Sequence, residues 1–130
     1  MTLLCVALVA CESPTTTPTT FEPPAPGKAG LYVASGYIPD VAAISVGTLT
    51  VGSLAQNAWL RADLAPGSYA IAARSSYSTA SLPVTLAPNT LTFVQLQYID
   101  SRPWRDVLSE VPESRGRALV LAGRHAAELH

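Results

Sequence analysis

Charge is the scarcest property of this chain. Asp, Glu, Lys and Arg make up only 13% of its 130 residues, against about 25% in an average soluble domain. Eight basic and nine acidic residues give a net charge of -1, which excludes the clustered basic footprint of a nucleic-acid binder. No apolar run reaches the about 18 residues that a membrane-spanning helix needs. Cysteine occurs twice, at Cys5 and Cys11, so everything after residue 11 lacks a thiol and a disulfide. Histidine also occurs twice, at His125 and His130. What is abundant is apolar surface, at 48% of residues, together with 11 prolines and 8 glycines. That mixture argues against a helical bundle, because proline removes a helix hydrogen bond and glycine weakens the helix entropically. The length suits one compact domain.

The first residues read as an address. Leu3 to Ala10 are uninterrupted apolar residues, the length of a signal-peptide core. The run closes with Leu8-Val9-Ala10-Cys11, which resembles a bacterial lipobox. The cysteine sulfur is the atom that takes diacylglycerol, and the compact residue before it admits the peptidase. Cys5 follows bulky Leu4 and does not fit. Residues 1–10 are therefore expected to be a lipoprotein signal peptide. No Lys or Arg precedes the apolar run, as a misplaced start codon would leave it. The competing use of the thiols is a Cys5–Cys11 bridge, with no folded element around either residue. Residues 11–28 are expected to be the lipidated Cys11 and a tether holding five prolines and five threonines. Such a segment buries too little to offset its ordering entropy, and at ~3 Å per residue it would reach about 50 Å. Several acyl chains on Cys11 would anchor it stably in membrane lipid. Glu12, in place of an inner-membrane-retaining aspartate, favours the periplasmic face of the outer membrane.

Residues 29–130 read as a mainly β domain: an antiparallel β-sandwich of about seven strands with a C-terminal helical segment. Leu31 to Ala34 open the first strand. Ile44 and Val46 alternate with Ser45, then Leu49 and Val51 with Thr50. Gly47-Thr48 between them suits a type II′ hairpin. Leu60, Ala62 and Leu64 face one way, while Trp59, Arg61 and Asp63 face the other. Ala65-Pro66-Gly67-Ser68 predicts a type II turn. Tyr69, Ile71 and Ala73 alternate after it. Leu82, Val84 and Leu86 line another strand, which Pro83 demotes to a sheet edge. A turn at Ala87-Pro88-Asn89-Thr90 leads into Leu91 to Ile99, and a short strand is expected around Val107 to Val111. Pro112 and Glu113 then suit a helix start. Leu119, Ala122, Ala126 and Leu129 fall at helical spacing, although Gly116 and Gly123 each cost ~1 kcal/mol relative to Ala.

Several of these motifs occur together elsewhere. The lipobox and tether, the Lys-Ala-Gly-Leu-Tyr-Val strand, Ala-Asp-Leu-Ala-Pro-Gly-Ser-Tyr, Leu-Pro-Val-Thr-Leu-Ala-Pro-Asn-Thr and Val111-Pro112-Glu113 resemble a family of short bacterial lipoproteins. Their single β-rich domain is of unknown function. The Pro66-Gly67 turn with Tyr69 is also similar to PEGA-type sandwich modules of envelope proteins. The chain departs from the family at Gly47-Thr48, where Asn-Gly or Asp-Gly is usual, and at Asn89, where glycine is usual. Both swaps preserve turn geometry. The resemblance implies an envelope β-sandwich and supplies no catalytic residues.

Catalytic motifs are missing. There is no Gly-x-Ser-x-Gly elbow, no Walker glycine loop, no Cys-x-x-Cys and no His-Glu-x-x-His. His125 and His130 read as a frayed, solvated C-terminus rather than metal ligands. Asp40 and Asp63 stand alone among the strands, too sparse for an acid/base pair. No catalytic residue, metal or cofactor is expected, and the chain reads as a non-enzyme. The aromatics remain. Trp59, Arg61, Tyr77 and Trp104 form the candidate binding face, Tyr98 bordering it, with ordinary core packing as the competing use of such rings. The expected role is a non-catalytic binding or structural module, anchored through Cys11 and facing an envelope protein or a cell-wall glycan. The alternatives are a carrier of a small apolar ligand between the sheets and a small periplasmic hydrolase.

Overall fold

The computed structural model describes residues 21–126, so the expected signal peptide, Cys11 and His130 lie outside the described residues. Among those described, nine strands and one helix follow one another: β1 (Ala29–Ser35), β2 (Ala42–Val46), β3 (Leu49–Leu54), β4 (Ala58–Leu64), β5 (Gly67–Arg74), β6 (Thr79–Leu86), β7 (Leu91–Ile99), β8 (Arg105–Val111), α1 (Glu113–Ala122) and β9 (Arg124–His125). They form a five-stranded sheet, ordered β8-β7-β1-β4-β9, and a four-stranded sheet, ordered β3-β2-β5-β6. The two sheets share one core. Leu31, Val33, Leu60, Val94 and Leu96 come from the first, and Ile44, Leu54, Ile71 and Leu86 from the second. Each such side chain contributes about 1.5–3 kcal/mol when taken fully from water.

The mainly β architecture with a C-terminal helix is as the sequence predicts, and several local expectations hold. The residues of β4 divide as anticipated: Leu60, Ala62 and Leu64 join the inter-sheet core, while Trp59 turns to the opposite face. Pro83 lies on β6, at the edge of its sheet. The β2–β3 hairpin closes on Gly47-Thr48 with Val46 opposite Leu49. Its positive φ of 63° at Gly47, with none at Thr48, is the type II′ requirement.

Other expectations are corrected. Not every pairing is antiparallel: β1 pairs with β7, and β4 with β9, in parallel. Leu49 does not share the core with Val51. Ile44 opposes Gly52 while Ser45 opposes Thr50, so β3 carries an extra residue as a bulge, and Leu49, beside the hairpin turn and opposite buried Val46, is exposed. Gly67 has a φ of 151°, wider than the about +80° of a type II turn. The Tyr69 hydroxyl instead closes that corner by donating to Ala65 O at 2.6 Å.

The outer face of the five-stranded sheet is also covered. Tyr32, Ala34, Trp59 and Phe93 form a second core there with Val120 of α1. Burial on both faces explains why all seven residues of β1 are buried. Pro112 caps α1 in an extended conformation, and the helix stops at an extended Gly123. Thus Ala126 is not on the helix, as its spacing predicts, but donates its N–H to Trp59 O at 2.8 Å. Gly116 and Val120 are the fully buried helix residues; of the predicted stripe, Leu119 packs partly buried against the second core, and Leu129 lies outside the described residues. Arg115 Nε reaches across to Gln95 Oε1 at 3.1 Å, tying α1 to β7.

The segment assigned to the tether differs from expectation as well. Phe21 packs against Tyr32 and Phe93, at centroid distances of 5.7 and 6.0 Å. Arg117 sits over the Phe21 ring at 4.7 Å. Pro24 is buried. The entry to β1 is closed by Asn89, which sits at a φ of 61°. Its Oδ1 accepts from Gly27 N at 2.9 Å, and its N–H donates to Lys28 O at 2.7 Å. Residues 21–28 therefore belong to the folded unit.

Candidate functional site

The parallel β1–β7 pairing builds the candidate site. Ser35 stands opposite Leu96, so both strands leave the sheet at the same end, and two residues further on Tyr37 meets Tyr98. Their rings lie 6.2 Å apart, edge to face. Tyr77, from the β5–β6 loop, meets Tyr98 from another side at 5.8 Å, also edge to face. Trp104, just before β8, completes the group. Tyr37 is 62%, Trp104 57% and Tyr77 37% exposed. Three loops and the end of β7 thus gather four aromatic rings at one pole of the sandwich.

Two polar devices set this surface. Asp40, in the β1–β2 connection, accepts from Val41 N at 2.8 Å through Oδ1, and from Ser76 N at 3.3 Å and Ser76 Oγ through Oδ2. These bonds, the Ser76 hydroxyl foremost, hold the Asp40 pKa below its ordinary 3.8. The second device lies beneath the rings. Asp106 pairs with Tyr98 in the β7–β8 register and is only 4% exposed. Its Oδ1 accepts from the Tyr77 hydroxyl at 2.7 Å, and its N–H donates to Ser78 Oγ at 3.1 Å. Burial and then this bond raise the Tyr77 pKa above its ordinary 10.0, which keeps the phenol protonated. Asp106 Oδ2 is buried and has no hydrogen-bond partner among the described residues.

The lowered pKa makes the Asp40 clamp testable. It contributes stability above 3.8, the unfolded value, and that contribution is lost as pH falls through the lower folded value. The Ser76 amide resonance should accordingly shift with an inflection below pH 3.8, and Asp40→Asn should abolish it. An inflection at or above the ordinary carboxylate value would contradict the clamp.

The four residues expected to share a face are divided in two. Tyr77 and Trp104 stand together at the aromatic pole. Trp59 and Arg61 lie on the helix-covered side of the first sheet. Trp59 is 9% exposed and stacks on His125 at 4.2 Å, so its ring packs into the structure rather than forming a binding surface. Stacking also replaces the frayed end expected for His125, because Arg124–His125 pairs in parallel with Ala58 and Trp59 of β4. Arg61 is engaged structurally: Nε bonds Asp63 Oδ1 at 2.8 Å, and Nη1 donates to Glu22 O at 2.8 Å and to the Tyr32 hydroxyl at 3.0 Å.

The sequence singles out neither Tyr37 nor a partner for Asp40, which reads as an isolated carboxylate. The available signal for Tyr37 was its position: an aromatic between Gly36 and Pro39, outside any alternating run that would bury it. Asp40 left no such signal, because Ser76 reaches it from a loop 36 residues away in the chain. Among the described residues no three His, Cys, Asp or Glu side chains gather to hold a metal ion. The pole can stack a ligand on aromatic faces and accept hydrogen bonds from it at Asp40.

No family model matches the chain. No curated protein matches it either. Among solved structures, the N-terminal domain of AlgF from P. aeruginosa is similar at 25% identity and a TM-score of 0.43, covering 67% of this chain and 96% of that one.

Proposed function

We propose that this protein is a lipid-anchored, non-catalytic binding module of the bacterial cell envelope, and that the aromatic pole is its binding end. The observation carrying this reading is the gathering of Tyr37, Tyr77 and Trp104, all exposed, at one end of the sandwich. Exposed aromatics of this size are the residues that most often dominate binding energy. The direction of the chain supports it too. Lys28 leads into β1 from the end that Asn89 closes, opposite the end where β1 delivers Tyr37. A domain held through Cys11 would thus present its aromatic pole away from its point of attachment.

Anchoring rests on the Leu8-Val9-Ala10-Cys11 motif. Among the described residues no helix is long and apolar enough to cross a membrane. Cys11→Ser is expected to move the protein entirely from the membrane fraction to the soluble fraction while leaving its melting temperature unchanged. A variant that stays membrane-bound would refute lipidation.

A further inference from the structure

Three depressions adjoin one another at the aromatic pole, with volumes of about 340, 540 and 560 Å³. Pro39 and Asp40 line both the first and the second, and Trp104 lines both the second and the third. A row of linked sites of this kind suits an extended ligand with repeating units better than one compact molecule. Taking this pole as the binding end, as proposed above, we infer that its occupant is an uncharged linear glycan.

The chemistry of the lining selects that class. A pyranose ring has apolar C–H faces and a rim of hydroxyls, so it needs flat aromatic surface beside hydrogen-bond acceptors. Tyr98 holds Tyr37 and Tyr77 in edge-to-face contacts, with interplanar angles of 77° and 89°. Such contacts leave ring faces open, whereas the parallel Tyr32–Phe93 stack in the second core, at 4°, covers them. A carboxylate accepts about four hydrogen bonds, and Asp40 takes one on Oδ1 and two on Oδ2. A sugar hydroxyl can therefore donate to Oδ1 without displacing the clamp. Among the described residues, Asp40 is also the one charged side chain lining the first two depressions. A polyuronate, a phosphate polymer or a nucleic acid would bring like charge against it, which disfavours those polymers. Arg102 lines only the third depression.

The test uses the full chain carrying Cys11→Ser, with tryptophan fluorescence as the readout. Trp59 is buried and Trp104 exposed, so a ligand-induced blue shift reports the pole. Cellopentaose and chitopentaose, tested separately, distinguish plain from acetamido sugars. Saturable binding of either is expected. Trp104→Ala and Tyr37→Ala should each weaken it about tenfold or more, followed by NMR where the indole is lost. Trp104→Phe should stay within a few-fold of the parent, and Leu121→Ser, on the exposed side of α1, should match it. Melting curves confirm that each variant is folded. No saturable binding of either glycan, binding indifferent to Trp104, or tighter binding of an oligogalacturonate or a proline-rich peptide would overturn the inference. Crosslinking of the lipidated chain in envelopes separates the two levels. If Trp104→Ala abolishes crosslinks while no glycan binds, the ligand class falls and the binding pole stands. If crosslinks are unchanged as well, both fall.

Discussion

Gly116→Ala is expected to destabilise the domain by about 2–3 kcal/mol, although alanine is the better helix former. Two effects oppose each other. Replacing glycine inside a helix gains ~1 kcal/mol of propensity. A Cβ at position 116, however, would stand 2.2–2.4 Å from Cβ, Cγ and Cδ2 of Phe93. Those atoms belong to the base of a ring stacked on Tyr32 at 5.0 Å, so no flexible tip can swing aside. Either α1 lifts off the sheet or Phe93 leaves its rotamer, and the packing cost outweighs the propensity gain. Thermal denaturation should show a fall in melting temperature of ~10 °C. A more stable Gly116→Ala protein would mean that α1 does not dock against β7 at this point.

Tyr32→Ala should cost still more, about 3–5 kcal/mol. The Tyr32 ring lies 5.0 Å from Phe93, 5.8 Å from Trp59 and 5.7 Å from Phe21. Truncating it opens a cavity among three aromatic rings, on a strand whose two faces are both covered. The hydroxyl adds a separable part, because it accepts from Arg61 Nη1 at 3.0 Å. Tyr32→Phe keeps the stacking and loses that charge-assisted bond, so it should cost only about 1–2 kcal/mol. Chemical denaturation of the pair resolves the two contributions. Equal losses in both variants would show that the hydroxyl, not the ring, dominates.

Legibility in the sequence follows the range of the interactions involved. Strand polarity was readable because Leu60, Ala62 and Leu64 alternate with Arg61 and Asp63, so the apolar side of this stretch marks the inter-sheet core. Pro83 marked a sheet edge because a missing N–H is a local fact. Partnership was not readable. Gly30 pairs with Leu91, and Tyr32 with Phe93, across most of the domain, and nothing in either segment announces the other. The aromatic pole inherited that difficulty, since Tyr37 and Tyr98 become neighbours only through this pairing. Trp59 misled for a related reason. It does face away from the inter-sheet core, but α1 and β9 cover that second face, and a two-residue strand ending in His125 has no sequence signature. Gly116 was read as a weakness of the helix, whereas it is where the helix touches the sheet.

The placement of β1 also governs the order in which the chain can become a domain. Its hydrogen-bonding partners are β4 and β7, so the first strand made waits at the centre of its sheet for one of the last. Pairings of such separation are slow to form, because loop closure precedes the contacts that reward it. A chain emerging from its N-terminus would keep β1 half-partnered until β7 arrived, and any truncation before β7 would expose a strand built to be buried on every side. Completion of the five-stranded sheet is thereby deferred until β7, Leu91–Ile99, has been made.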